Sequence, residues 1–266
     1  MKYQGVLKKM LTEFGSPIQY YLEMATDFVN VNQLLDKEIE ITFEHYQCLN
    51  CGKDKKIFAQ GNCSTCFFNS AKVGDWIMKP ELSTAHLGIE DRDLAYEKRV
   101  QLQPHIVYLA LSSNVKVGVT RKPQVPTRWI DQGATKAIAM LEVPNRYLAG
   151  IAEVALKEFV ADKTSWQKML KNDVVDADLL AEMHKLSKHL PEETKPYFLE
   201  NNETVYTMEF PVLQYPTKVK SINLTKIPEF SGKLKGIKGQ YLIFEDNRVF
   251  NVRNNSGNVV SLEVRN

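Results

Sequence analysis

The sequence predicts an α+β protein in which a central segment of strands and helices lies between two β-rich regions. The first region contains a stretch of alternating polarity, the central segment combines a hairpin pattern with helical apolar stripes, and the last region has three short strand patterns. With 266 residues and 44% apolar composition, the chain suits one large domain or two to three small ones. We expect domains at 1–79, 80–200 and 201–266.

An N-terminal β region is expected over residues 1–79. In residues 37–46, KEIEITFEHY, apolar side chains occupy alternate positions, which is the period of a half-buried strand. Ser16 and Pro17 mark a turn between two earlier strand patterns.

The four cysteines of the chain lie within residues 47–69, in the pattern C-x2-C-x11-C-x2-C. Two such pairs can form a tetrahedron of thiolates around zinc. Because four protein ligands leave no open coordination position, we expect a structural zinc ribbon and not a catalytic metal. The alternatives are disulfides, which suit an oxidising compartment, and inert buried thiols. The predicted ligands are Cys48, Cys51, Cys63 and Cys66.

The central segment, residues 80–200, is predicted to contain four helices and a hairpin. The first helix pattern is the charged stretch EDRDLAYEKRVQL within residues 80–103, and the other three cover residues 144–160, 165–171 and 176–190. Gly150 interrupts the second helix at a cost of about 1 kcal/mol relative to alanine. We expect this glycine to mark a close crossing of the helix over the hairpin.

The hairpin has its turn at Ser112-Ser113-Asn114. Tyr108 lies on its first strand, and Lys116 and Gly118 lie on its second strand. Residues two apart on a strand share a face, so Lys116 and Gly118 point the same way. We expect the glycine to leave room for a phosphate or for an approaching helix.

A small C-terminal β domain is expected over residues 201–266. Its three strand patterns, GQYLIFED, NRVFNVRN and NVVSLEV, are separated by turns at residues 246–247 and 255–257.

The formal net charge of +2 hides an uneven distribution of charge. Residues 101–136 hold five basic residues and one acidic residue, residues 216–240 hold six and one, and residues 172–203 hold three and eight. The two basic stretches suit a polyanion such as nucleic acid. Solvated loops are the alternative for residues 216–240.

The chain has no run of about 18 uncharged apolar residues, and its N-terminus lacks a signal-peptide pattern. We therefore expect a cytoplasmic protein that has no contact with membranes.

Four features of the central segment occur in a defined order. Tyr108 is followed by Lys116-Val117-Gly118-Val119-Thr120, then by Arg128, and then by Glu153 inside a predicted helix. In this order and spacing, residues 104–160 resemble the GIY-YIG nuclease superfamily, and especially its branches with Lys-Ile-Gly followed by Thr. The whole chain also resembles a bacterial family of unknown function that couples a zinc ribbon to such a segment.

The resemblance implies a small antiparallel sheet with flanking helices and a nuclease (phosphodiesterase) centre that uses one Mg²⁺ or Mn²⁺. It implies that Glu153 binds the metal and that Arg128 stabilises charge on the phosphate. It also implies that Tyr108 positions the water or the phosphate, and a lowered pKa would let this phenol act as a base.

The chain departs from the family pattern at several positions. Ile106 replaces the first glycine, Lys116 replaces the second tyrosine, and Asp131-Gln132 stand where many members have a histidine or tyrosine. The late asparagine of the family has no clear match. Lys116 still suits phosphate as a point charge.

The predicted function is nucleic-acid binding with a metal-dependent nuclease centre, on DNA or RNA. Arg121, Lys122 and Trp129 are predicted to contact the nucleic acid, Trp129 by stacking on bases. The alternatives are non-catalytic binding of DNA or RNA, and a zinc-stabilised interaction protein.

Purely structural roles are the alternatives for three of these residues. Tyr108 and Trp129 also suit the protein core. Arg128 also suits a simple ion pair with Asp131 or Glu153.

Overall fold

The computed structural model describes residues 1–160 and 164–265. This part of the chain contains sixteen strands, arranged in several sheets, and six short α-helices. The predicted α+β class is therefore confirmed. Within the described residues, no helix combines the length and the apolar composition that crossing a bilayer requires.

The strands follow one another in this order: β1 (Lys2–Val6), β2 (Leu11–Glu13), β3 (Gln19–Glu23), β4 (Phe28–Asn30), β5 (Glu38–Tyr46), β6 (Ile57–Ala59), β7 (Asn62–Cys63), β8 (His105–Leu111), β9 (Val115–Arg121), β10 (Lys136–Val143), β11 (Tyr206–Thr207), β12 (Lys220–Ser221), β13 (Glu229–Lys238), β14 (Tyr241–Phe244), β15 (Arg248–Asn251) and β16 (Asn258–Arg265). The helices are α1 (Ser64–Phe68), α2 (Leu94–Gln101), α3 (Thr127–Asp131), α4 (Arg146–Leu156), α5 (Trp166–Leu170) and α6 (Leu179–Ser187).

The chain forms two compact units. The β unit comprises Met1–Asn69, Leu170–Asn172 and Met208–Asn266, and the central unit comprises Ser70–Met169 and Asp173–Thr207.

The β unit is built on a seven-stranded sheet with the order β1-β16-β5-β13-β14-β15-β12. Neighbours are antiparallel except for β12 and β15, which are parallel. Strands that the sequence analysis assigned to separate N-terminal and C-terminal regions thus share one sheet. Local patterns carry no signal for such a pairing, because it joins segments far apart in the chain.

The longest strand, β13, was missed because its lysines resemble a solvated loop. Lys235 lies 2.6 Å from Asp36 in an ion pair. Lys238 is fully buried, and its Nζ donates a hydrogen bond to Asn172 Oδ1 at 2.8 Å. Some lysines of residues 216–240 therefore interact with partners inside the β unit and do not form an exposed basic surface.

The central unit has a four-stranded antiparallel sheet with the order β11-β10-β8-β9. Val107, Leu109 and Leu111 of β8 pack into one apolar core, together with buried side chains of α4 and α6. The residues between them point to the other face by strand alternation. On that face Tyr108 contacts Trp129 of α3, with ring centroids 5.7 Å apart.

The charged helix predicted within residues 80–103 is confirmed as α2, but it is shorter than its sequence pattern. Pro80–Leu82 and Ala85–Leu87 are separate 3-10 turns, and Gly88, at φ +74°, ends the second. The α-helix begins only after Asp93, whose carboxylate accepts from the Tyr96 amide and caps it.

Helix α4 does pack on the hairpin strands β8 and β9, but Gly150 does not mark this contact. A Cβ atom on Gly150 would overlap the backbone of Pro80 and Glu81. The glycine therefore allows the Pro80–Leu82 turn to pack directly on α4.

We predict that Gly150→Ala destabilises the protein, although alanine is the better helix former by about 1 kcal/mol. Backbone atoms of the turn cannot rotate away as a side chain can, so we expect a net loss of about 2 kcal/mol in the free energy of unfolding. Urea unfolding of the parent and the variant measures it. The control is Gly15→Ala, where the new Cβ would meet only Pro17 O, at 3.4 Å. Equal midpoints for the parent and Gly150→Ala would contradict the prediction.

Candidate metal centre and active site

The four cysteines form a cluster in the β unit. Their Sγ atoms all lie within 4.8 Å of one another, and none of them forms a disulfide. A tetrahedron with metal–sulfur bonds of about 2.3 Å needs sulfurs about 3.8 Å apart, so the geometry fits a metal ion. Gly52, at φ +68°, forms the turn after Cys51, a conformation that a side chain would strain.

The surroundings of the cluster favour thiolate at one sulfur. Burial opposes ionisation of Cys48, but backbone N–H groups of Cys51, Cys63 and Asn50 outweigh it and lower the pKa of Cys48 to about 6. The Cys63 amide donates to Cys48 Sγ at 3.3 Å. For Cys66, the Asn50 side chain lowers the pKa, but burial and the neighbouring sulfurs outweigh it and raise it to about 11.

Four soft sulfur donors in a closed shell suit zinc or iron and leave no position for a substrate. The predicted four-cysteine metal site is thus supported by the structure at the level of its donors. One half of the site is formed by Cys63, at the end of β7, and Cys66, in α1. The other half is formed by Cys48 and Cys51, in the turn after β5.

The central unit brings together the side chains that the sequence analysis singled out. Gln132, at the end of α3, accepts two hydrogen bonds on its Oε1 atom. One comes from the Tyr108 hydroxyl at 3.0 Å, and the other comes from Lys116 Nζ at 2.8 Å. Tyr108 and Lys116 are both almost fully buried. Two neighbouring strands and one helix therefore meet at a single amide oxygen.

Arg128 and Glu153 both interact electrostatically with the Tyr108 hydroxyl. Burial raises the pKa of Tyr108 above its usual value, Glu153 adds to this, and Arg128 and Gln132 oppose it without reversing it. The expectation of a lowered phenol pKa at Tyr108 is therefore wrong. Tyr108 is a neutral phenol that donates a hydrogen bond.

Gly118 has a different role from the one expected. Tyr108 and Gly118 are direct neighbours on β8 and β9. A Cβ atom on Gly118 would lie 2.6 Å from the Tyr108 oxygen and 2.7 Å from its Cζ atom. The space at the glycine is thus occupied by the tyrosine ring and not by a ligand or a helix.

Glu153 lies on α4, and 9% of its surface is exposed. Its Oε2 atom is 3.6 Å from Lys157 Nζ, one helical turn away. It also acts electrostatically on Arg146, at the start of the same helix. The carboxylate therefore lies among cations.

The predicted nucleic-acid contacts occupy different surroundings. Lys122 is exposed and pairs with Glu142 at 2.6 Å, and Arg121 is half-buried and donates to Gln124 at 3.3 Å. Trp129 is fully buried between Tyr108 and Tyr206, with ring centroids 5.7 and 5.1 Å away. The ring offers no face to a base, so the core alternative replaces the stacking interpretation.

The sequence analysis missed two members of this cluster as candidates. Gln132 follows Arg128 by four residues, the spacing of one helical face, and this was a usable signal. Arg146 occupies the first turn of α4, where a cation opposes the helix dipole. It donates to the carbonyls of Trp76 and Ile77 at 2.9 and 2.8 Å. Burial lowers its pKa to about 10, so it stays charged.

We predict that purified protein contains one zinc per chain and that Cys51→Ser lowers this content. The loss should loosen residues 47–69, because their short strands and single helical segment bury little apolar surface of their own. Elemental analysis gives the metal content, and limited proteolysis reports the loosening. Parent protein that contains neither zinc nor iron, or that shows a disulfide between these cysteines, would contradict it.

We predict that Gln132→Leu costs about 1–3 kcal/mol of unfolding free energy, since two buried donors lose a shared acceptor. The exposed Gln167 provides a control, and Gln167→Leu should leave stability close to that of the parent. Chemical denaturation compares the three proteins. A loss of the same size in both variants would show that the Gln132 bonds contribute little.

Both sites lie inside the range that matches a known family. Residues 36–260 match the family described as "Protein of unknown function (DUF2797)". No curated protein and no solved structure matches the chain. Since the match spans most of the 266 residues, the chain belongs to the DUF2797 family.

Proposed function

We propose that the central unit binds the phosphodiester backbone of a nucleic acid and hydrolyses it with a divalent metal ion, Mg²⁺ or Mn²⁺, held at Glu153. One observation carries the proposal. Tyr108 and Lys116 donate hydrogen bonds to Gln132, and both Arg128 and the Glu153 carboxylate interact electrostatically with the Tyr108 hydroxyl. The GIY-YIG resemblance assigns a role in phosphodiester cleavage to this set of positions.

The charge of the cluster supports a phosphate ligand. The cluster contains four cations. Lys116 donates a hydrogen bond to Gln132, and Arg128 interacts electrostatically with Tyr108. Arg121 and Arg128 both act electrostatically on Arg146. Two carboxylates, Glu81 and Glu153, act on Arg146. An arginine fork matches two phosphate oxygens, and the excess of positive charge favours an anion.

The donor set also supports a hard cation. Mg²⁺ uses one or two protein carboxylates and takes its other ligands from water and phosphate oxygens. Glu153 supplies such a carboxylate. Glu81 Oε2 is buried and has no hydrogen-bond partner in the described part of the chain, so a second carboxylate oxygen lies unsatisfied in the same unit. When bound, the metal would polarise a phosphoryl oxygen as a Lewis acid.

The residues of this chain then have separate tasks. Arg128, which is only partly buried, would hold the phosphate oxygens, and the buried Lys116 adds positive charge behind it. Tyr108 keeps its proton and donates a hydrogen bond to Gln132. Gln132 fixes Tyr108 and Lys116 with respect to each other. Tyr108 is not assigned the role of base, because burial raises its pKa.

A second candidate function is binding of nucleic acid without cleavage. It is favoured by the 3.6 Å ion pair between Lys157 and Glu153, which must open before the carboxylate can bind a metal ion. For both candidates we propose the cytoplasm as the location, because cysteines that form no disulfide suit a reducing compartment.

The experiment that tests the proposal compares cleavage by the parent and by Glu153→Gln. Labelled single-stranded, duplex and branched DNA and single-stranded RNA are incubated with Mg²⁺ or Mn²⁺. We expect Glu153→Gln to lower the cleavage rate by at least about a hundredfold, since a metal ligand supplies several kcal/mol to the transition state. The control is Glu158→Gln, an exposed glutamate two residues beyond α4, which should cleave at the parent rate.

Equal cleavage by the parent and Glu153→Gln would assign the activity to a contaminant or to another site. Absence of cleavage on all substrates, combined with binding that weakens steeply with salt, would favour the second candidate. In that case Arg128→Ala should still weaken binding and flatten the salt dependence.

A further inference from the structure

We infer that the β unit carries a binding pocket for a nucleoside phosphate, formed where the hairpin of the cysteine segment faces the C-terminal strands. The ligand is either one nucleotide of a single strand or a free nucleotide. This pocket is built from residues of the β unit alone, and its inference does not depend on the cleavage proposed for the central unit.

The pocket has a volume of about 320 Å³. It is lined by residues 56–60 of the cysteine segment, by residues 221–225 around β12, and by residues 251–258 between β15 and β16. This volume is at the lower end of the range for small-molecule sites, about 300–1,000 Å³. It therefore suits a ligand of about the size of one nucleotide.

Amide side chains dominate the polar lining. Five asparagines contribute to it: Asn223, Asn251, Asn254, Asn255 and Asn258. No aspartate or glutamate is among the lining residues, so the pocket does not suit a metal cation. An amide offers both a donor and an acceptor, which is the pattern that the edge of a nucleobase requires.

Several of these amides are held in position by their own loops. Asn223 Oδ1 accepts from the Thr225 amide at 2.9 Å, and Asn251 Oδ1 accepts from the Asn254 amide at 2.9 Å. These bonds fix the orientation of the two amide planes. A pre-oriented set of donors loses less entropy when a ligand binds.

An exposed aromatic ring lies on the pocket wall. Phe58 lines the pocket and is 56% exposed. Its ring packs against Phe67 and Phe68, with centroids 5.2 and 5.0 Å away, which holds it in place. A fixed ring at the edge of an amide-lined pocket is a surface on which a base can stack.

Basic residues lie in or beside each of the three lining segments. Lys56 lines the pocket itself. Exposed basic residues directly adjoin lining residues in the chain: Lys55, Lys220, Lys226 and Arg253. In the described part of the chain, neither Lys55, Lys56, Lys220 nor Lys226 forms an ion pair with a carboxylate. These positive charges distinguish a nucleoside phosphate from a neutral sugar, which amides and aromatic rings would otherwise bind as well.

The test measures binding by the full, metal-loaded chain with magnesium omitted, so that cleavage plays no part. The probes are a fluorescein-labelled 12-nucleotide single strand, followed by anisotropy, and the four nucleoside monophosphates, followed by calorimetry. In the double variant Asn223→Ala/Asn254→Ala we expect affinity to fall at least tenfold. The control is Asn114→Ala, an exposed asparagine in the hairpin turn of the central unit, which should bind like the parent.

A second variant, Asn254→Asp, guards against misfolding, since it keeps the side-chain shape at an exposed position. It should weaken binding by placing a negative charge beside the phosphate, while its thermal unfolding stays that of the parent. Binding of the strand alone identifies a site for nucleic acid, and binding of monophosphates as well identifies a site for free nucleotides.

Three results would overturn the inference. The first is that no probe binds. The second is that both pocket variants bind like the parent. The third is that inorganic phosphate competes as well as a monophosphate does, which would remove the base from recognition. Because binding is measured without magnesium, failure here leaves the cleavage experiment unaffected, and the reverse also holds.

Discussion

The pairing of β5 with both β16 and β13 is the interaction on which the β unit depends. β5 lies between these two strands and bonds to each along most of its length. Ile39 and Ile41 of β5 are buried, and each contributes about 1.5–3 kcal/mol of hydrophobic stabilisation. The cysteine segment follows β5 directly, so the position of the metal site and of the pocket wall is set by this strand.

Glycines determine how the smaller parts pack against this framework. A Cβ atom on Gly257 would lie 2.7 Å from Ile57, which pairs with Cys63 in the hairpin of the metal site. The hairpin can therefore approach the start of β16 closely. In the central unit, Gly118 gives the same freedom to the Tyr108 ring. In both candidate sites a glycine therefore permits a close contact that a side chain would block.

The parts of the fold that could be predicted are those encoded in local pattern. The cysteine spacing predicted a metal site, and the four sulfurs do come together. The helical apolar stripe over residues 144–160 predicted α4, which begins after its N-cap Asn145. Strand β13 could not be recognised, because Lys235 and Lys238 have partners elsewhere in the fold that no local pattern shows. Trp129 suited both base stacking and the protein core, and only its burial in the structure decides for the core.

The same limit of local pattern applies to the candidate site. Tyr108, Lys116, Arg128 and Glu153 were selected through order and spacing. In the structure Lys116 shares the acceptor Gln132 with Tyr108, and Arg128 and Glu153 interact with Tyr108 electrostatically. The pKa of Tyr108 could not be foreseen, because its direction depends on burial. Gly150 was recognised as a close contact, but its partner is the Pro80–Leu82 turn, and sequence alone gives no direction for a contact.

The division of the chain has a consequence for synthesis on the ribosome. Residues 70–169 and 173–207 form the central unit, whereas β13 and β16, the neighbours of β5, lie at 229–238 and 258–265. A nascent chain that has completed the central unit still exposes both edges of β5. Unpaired edges attract other strands and promote aggregation. The β unit can close only after β16 has been synthesised, so a chain released before residues 258–265 are made would have an open sheet.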